Sequence, residues 1–243
     1  MKSKILLMTF VGILMTGFLG SCGKEEDGNA KVSFQAVNSG TRMKTTPVTG
    51  VVINSFKVNI DEIEFEFYDS PNDQFPDGES YSELELEGPF EVDLVSNGNT
   101  QLTNLVAGVQ LPQATFDELE FEFERSENRA SPLFGRSILV QGTINGVPFE
   151  YFTTMDEFAV ELEFEPPVDL TVAGGVSVVV SIDLAAIFNP LQGGVNISGA
   201  RDGNGNGTIE IHLLDNDGNS ALAGLLDDAI WKAIDTIEER WDD

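Results

Sequence analysis

Asp61-Glu62-Ile63-Glu64-Phe65-Glu66-Phe67 and Asp117-Glu118-Leu119-Glu120-Phe121-Glu122-Phe123 are one pattern written twice. Glutamate alternates strictly with Ile, Leu or Phe. That period of two belongs to a β-strand with one face in a core and the other turned to water. A looser third copy runs from Asp156-Glu157-Phe158 to Phe164-Glu165. The glutamates read first as a solvated outer face whose charge discourages edge-to-edge aggregation. Paired ladders have a cost, because like charges directly opposite each other repel. Neighbouring ladders would need Lys57, Arg125 or bound cations, or a raised carboxylate pKa.

Working outward, the apolar residues Phe56, Val58 and Ile60 fall on even positions and Ile63, Phe65 and Phe67 on odd ones. The core face must therefore swap near Asp61-Glu62, which predicts a bulge or a bend. Val32–Gln35 is a candidate first strand. Leu84–Leu94 reads as two short strands around Gly88-Pro89, and Leu102–Leu111 as another. Asn145-Gly146 between alternating runs predicts a hairpin. Pro166-Pro167 stops the third ladder, and Val176–Ile182 reads as a central strand. A strand is expected over Thr208–Leu214. From Leu222 the apolar residues recur every three or four positions, a C-terminal amphipathic helix capped by Asn219 or Ser220, with Asp227-Asp228 on its polar side.

The charge is lopsided: 13 Lys and Arg against 41 Asp and Glu, a net −28. Such a surface repels phosphate backbones, so nucleic acid is not an expected partner. It suits a cation or a basic partner. The single cysteine, Cys22, excludes an internal disulfide and a Cys-based zinc cluster.

Residues 1–21 have the three parts of a secretion signal: Lys2 and Lys4, an apolar core from Ile5, and small Gly20 and Ser21. The apolar run is short for a membrane-spanning helix, which needs about 20 residues. Leu19-Gly20-Ser21-Cys22 resembles a bacterial lipobox, which implies cleavage before Cys22 and its acylation. Loss of Lys2 and Lys4 then leaves 11 cations against 41 acids, a net −30. Lys24-Glu25-Glu26-Asp27 looks like the surface-export signal of Bacteroidota-type lipoproteins, within a flexible acidic tether over 22–31. The expected location is the outer membrane, lipid-anchored and facing the exterior.

Four further stretches carry a wider resemblance: Ser55–Phe65, Glu87–Leu94, Leu111–Leu119 and Gly142–Phe149. Over roughly residues 50–190 the chain resembles Bacteroidota-type surface lipoproteins that carry a domain of unknown function. Ala114-Thr115-Phe116 stands where those proteins usually have Gly-Thr-Tyr. The resemblance implies a β-sandwich of transthyretin-like character and no activity. The expected fold is therefore mainly β: an antiparallel sandwich of transthyretin/Ig-like type over 32–218, with the C-terminal helix over 219–243. The repeated ladders leave open whether 32–127 and 135–218 are two halves of one sandwich or two.

For chemistry, Asp202-Gly203-Asn204-Gly205-Asn206-Gly207 matches the first half of a calcium loop. Asp202, Asn204 and Asn206 hold positions 1, 3 and 5, and Glu210 position 9, but Leu213 stands where a bidentate Glu belongs. Asp215-Asn216-Asp217-Gly218-Asn219 is a second fragment. The strand expected between them would span about 23 Å, placing the loops at opposite ends with no shared ion. Turn chemistry alone also accounts for both. His212, the only histidine, reads as an outer-face strand residue, and no nucleophile elbow accompanies the serines. No catalytic residue is assigned.

Three functions fit. The first is a non-catalytic binding module for a protein or glycan ligand, using loops such as 69–82 and 191–207. The second is a structural, pilin-like surface subunit, with Arg42 as the processing site. The third is a hydrolase built on paired carboxylates.

Overall fold

The structure is a computed structural model, and it describes residues 30–37, 50–68, 83–112, 114–155, 158–173 and 176–238. Cys22, Lys24 to Asp27, Arg42 and the 69–82 loop lie outside the described residues. The fold is mainly β, in two sheets, with one long helix at the C-terminus. The strands are β1 (Ala30–Val37), β2 (Val51–Tyr68), β3 (Glu83–Ser96), β4 (Asn99–Thr100), β5 (Leu102–Val109), β6 (Thr115–Phe123), β7 (Ile138–Ile144), β8 (Val147–Thr153), β9 (Phe158–Asp169), β10 (Val176–Asp183) and β11 (Ile209–Ile211). Helices α1 (Leu170–Ala173) and α2 (Leu184–Phe188) are short, and α3 is Ser220–Glu238. No helix among the described residues is long and apolar enough to cross a membrane.

One sheet has the order β10-β1-β5. The other runs β11-β8-β7-β2-β3-β4, with β6 alongside β2 and β9 alongside β6. Their apolar faces meet: Phe34 of β1 lies edge-on to Phe121 of β6 at 4.9 Å, and Phe56 of β2 faces Phe188 of α2 at 6.4 Å. Edge-to-face rings add to the area they bury. Two pairings, β1–β10 and β11–β8, are parallel, so the sheets are mixed and not purely antiparallel. Both join strands far apart in sequence, where long connections permit parallel pairing. Val176–Ile182, expected to be central, is an edge strand; β1 takes the central place.

The long β2 organises the larger sheet. Its buried residues are Val51 and Ile53, then Phe56, Val58 and Ile60, then Ile63, Phe65 and Phe67. The face swaps twice. The swap near Asp61 is a register shift between Ile60 and Glu62, as the alternation predicts. The other lies between Ile53 and Ser55. β3 runs unbroken through Gly88-Pro89, opposite that bulge, where two strands were expected. Gly88 is needed there: a Cβ would come within 2.7 Å of the Ile60 carbonyl. β9 likewise continues past Pro166-Pro167. Between Phe116 and Glu118 of β6 its partner jumps from Val168 to Glu163. The prolines occupy that bulge, where no ladder hydrogen bond is lost. Asn145 (φ 52°) and Gly146 (φ 85°) form the expected tight turn between β7 and β8.

Helix α3 packs against β9, β10, β8, β11 and α2, burying Ala223, Leu226, Ile230 and Ala233. Asp227, read as polar-face, is buried. The Tyr151 hydroxyl donates to its carboxylate at 2.6 Å. Burial raises the Asp227 pKa, while bonds from Tyr151 and Thr153 oppose that shift. Tyr151→Phe removes one of the donors that make this burial tolerable. The expected loss is about 1–3 kcal/mol, read from the urea midpoint.

Candidate functional site

Register turns the ladders into a grid. Glu62 lies opposite Glu87 on β3 and Glu122 on β6. Glu64 lies opposite Glu85 and Glu120, and Glu120 opposite Glu161 of β9. Glu66 lies opposite Glu83 and Glu118, and Glu118 opposite Glu163. Three rows thus cross four strands in the order β3-β2-β6-β9, and only Ala159, opposite Glu122, interrupts them. The alternate residues Ile63, Phe65, Leu119, Phe121, Val160 and Leu162 are buried, so the grid occupies the face turned away from the core. The Lys57–Asp93 and Arg136–Glu150 ion pairs lie off the grid.

Crowding and partial burial act on the middle of this face. Glu64 is pushed up to about 7, first by burial and then by Glu83, Glu66, Glu120 and Glu85. Glu118 is also pushed up to about 7, by burial and then by Glu66, Glu161, Glu163 and Glu120. Glu62, Glu66 and Glu120 shift the same way, burial again leading. Asp117 lies opposite the β9 bulge with a buried Oδ1 that has no hydrogen-bond partner, and burial raises its pKa too. Three trios bring carboxylate oxygens within 4.8 Å of one another: Glu62-Glu64-Glu85, Glu64-Glu66-Glu120 and Glu118-Glu120-Glu161. Such groups can hold a cation or share protons. The contribution of β3 was missed in the sequence, although Glu83, Glu85 and Glu87 alternate with Leu84 and Leu86 there.

The Asp/Asn loops come together, contrary to the placement expected from a long intervening strand. β11 covers only Ile209–Ile211, and the chain turns back directly after His212. The Asp217 carboxylate reaches the first loop: Oδ1 accepts from the amides of Gly203 and Asn204, and Oδ2 from Glu210. The Asn219 side chain donates to the carbonyls of Arg201 and Glu210 and so ties the loops, while its own carbonyl accepts from the Ala223 amide at the start of α3. The four proposed calcium ligands converge. Asn204 and Asn206 donate to the two carboxylate oxygens of Glu210 at 3.1 and 3.3 Å. Asp202 accepts from the amides of Gly205, Asn206 and Gly207. These bonds complete the loop internally. Asp202→Ala therefore removes bonds from an exposed turn, and the expected loss is below about 1 kcal/mol in a urea melt.

His212 stacks on Phe152 at 4.4 Å, and the Arg136 guanidinium lies 4.2 Å from the same ring. Arg136 also pairs with Glu150. This is a packing arrangement on the outer face of the β7–β8 region. No family model, curated protein or solved structure matches the chain.

Proposed function

We propose that the chain is a lipid-anchored outer-membrane protein, acylated at Cys22, exported through Lys24 to Asp27 and facing the cell exterior. Its folded part is a non-catalytic binding module, a mixed-sheet sandwich of transthyretin or Ig type. The observation that carries the binding role is the in-register glutamate grid. A strongly acidic, ordered face favours a cationic protein or a ligand presenting cations, and it disfavours nucleic acid. The tether proposed over 22–31 is shorter than that, because Ala30 and Lys31 already belong to β1.

Protease shaving of intact cells, with and without EDTA, tests this. Release of fragments from the folded part is expected from intact cells. Protection until the outer membrane is ruptured would place the domain on the periplasmic side and end the surface reading.

One observation favours the pilin-like alternative. β1 lies between β10 and β5, and Arg42 follows Val37 by five positions. Cleavage there would detach a central strand from the fold. A native protein whose N-terminus is Met43 would support that reading.

A further inference from the structure

We propose that the glutamate face is a proton-controlled charge switch: as the surroundings change from weakly acidic to alkaline, the β3-β2-β6-β9 region sheds protons held between neighbouring carboxylates and loosens from its β9 edge. The proposal does not depend on what the face binds.

It stands first on register. Adjacent strands are about 4.8 Å apart, and carboxylates directly opposite one another repel when both are ionised. A shared proton removes the repulsion, because the protonated partner donates a hydrogen bond to the ionised one. Glu64 is faced by Glu83 and Glu85 from β3, Glu66 on its own strand and Glu120 from β6. Glu118 is faced by Glu66 from β2, Glu120 on its own strand, and Glu161 and Glu163 from β9. Among the described residues, the neighbours that push both upward are carboxylates.

Topology then selects the strand that gives way. β2 and β6 each have strand neighbours on both sides, whereas among the described residues β9 pairs only with β6. Its other support is α3, through contacts such as Phe158 edge-on to Trp231 at 4.6 Å. Repulsion across β6–β9 therefore acts on a strand held by a single ladder, with its inner face in the core and α3 against it.

The direction of the pH effect follows from the upward shifts. A group whose pKa rises from 4.5 when unfolded to about 7 when folded stabilises the fold below 4.5. That contribution is lost as pH rises through about 7. Ordinary carboxylate pairing has the opposite slope.

The test uses the full-length protein in detergent. Between about pH 6 and pH 8.5, the unfolding equilibrium constant from urea melts should rise on the order of tenfold for each of the two groups. Hydrogen exchange, corrected for intrinsic rates, should show β9 amides losing protection before those of β7. Glu64→Gln with Glu118→Gln should flatten the pH profile. If that variant does not fold, a carbon-13 titration of the wild-type glutamate carboxyls decides. Midpoints near 7 for Glu64 and Glu118 are expected. All glutamates titrating near 4.5, or stability that stays level or increases above neutrality, would overturn the switch.

Discussion

Phe121→Ala should be among the most damaging single changes in the chain, with an expected loss of about 3–5 kcal/mol. Phe121 is fully buried near the end of β6, and its ring meets Phe34 edge-on. That contact joins the larger sheet to the smaller one. Truncation leaves a cavity between two hydrogen-bonded sheets, which cannot collapse freely to fill it. The same strand presents Glu120 and Glu122 to the opposite face, so the loss should also disorder the grid. A urea melt gives the stability. Phe121→Leu is the control and should recover much of it. A loss below about 1 kcal/mol for Phe121→Ala would mean that the sheets are not packed through this residue.

Asp217→Ala is the second large effect. One buried carboxylate accepts three backbone amides, from Gly203, Asn204 and Glu210, and so joins the first loop, β11 and the segment that opens α3. Burial would raise its pKa, but those three amides and His212 outweigh that and hold it low. The expected loss is about 2–3 kcal/mol, since two of the amides lie in exposed loop and recover water while that of Glu210 is part of a strand. The depressed pKa also fixes a sign. Its contribution is present above the unfolded carboxylate pKa and disappears as pH falls through the lower folded one. This loop knot and the glutamate grid thus depend on pH in opposite directions, over separate ranges. Comparing the urea midpoints of Asp217→Ala and Asp202→Ala separates a joint between elements from an ordinary turn. Equal midpoints would remove the distinction.

Much of the fold was legible because alternation is a strong signal. The ladders on β2, β6 and β9, the bulge at Asp61 and the Asn145-Gly146 turn follow from residue patterns within a few positions. What escaped the sequence depends on partners far along the chain. Pro166-Pro167 reads as a stop, yet β9 bulges there opposite Asp117 and pairs with β6 again at Val168. Val176–Ile182 is apolar enough for a central strand, but β1 takes that place and leaves β10 at the edge. Asp227 sits one helical position from exposed Asp228 and is buried because Tyr151 reaches it. The site shows the same division. That glutamates line strands is visible in the sequence, but that β3 and β9 flank β2 and β6 in matching register is not. The calcium-like spacing of Asp202, Asn204, Asn206 and Glu210 is equally visible, whereas the cross-loop ties from Asp217 and Asn219 depend on how short β11 is.

These observations describe a β-domain with an ordered acidic face, and the proposal is that Cys22 holds it at a membrane. The most direct test is the mass of the N-terminal peptide of the native protein, purified from its own membrane. The prediction is a peptide beginning at Cys22 and carrying acyl chains on that residue. A peptide beginning at Met1, or at Met43 without lipid, would contradict the anchored reading.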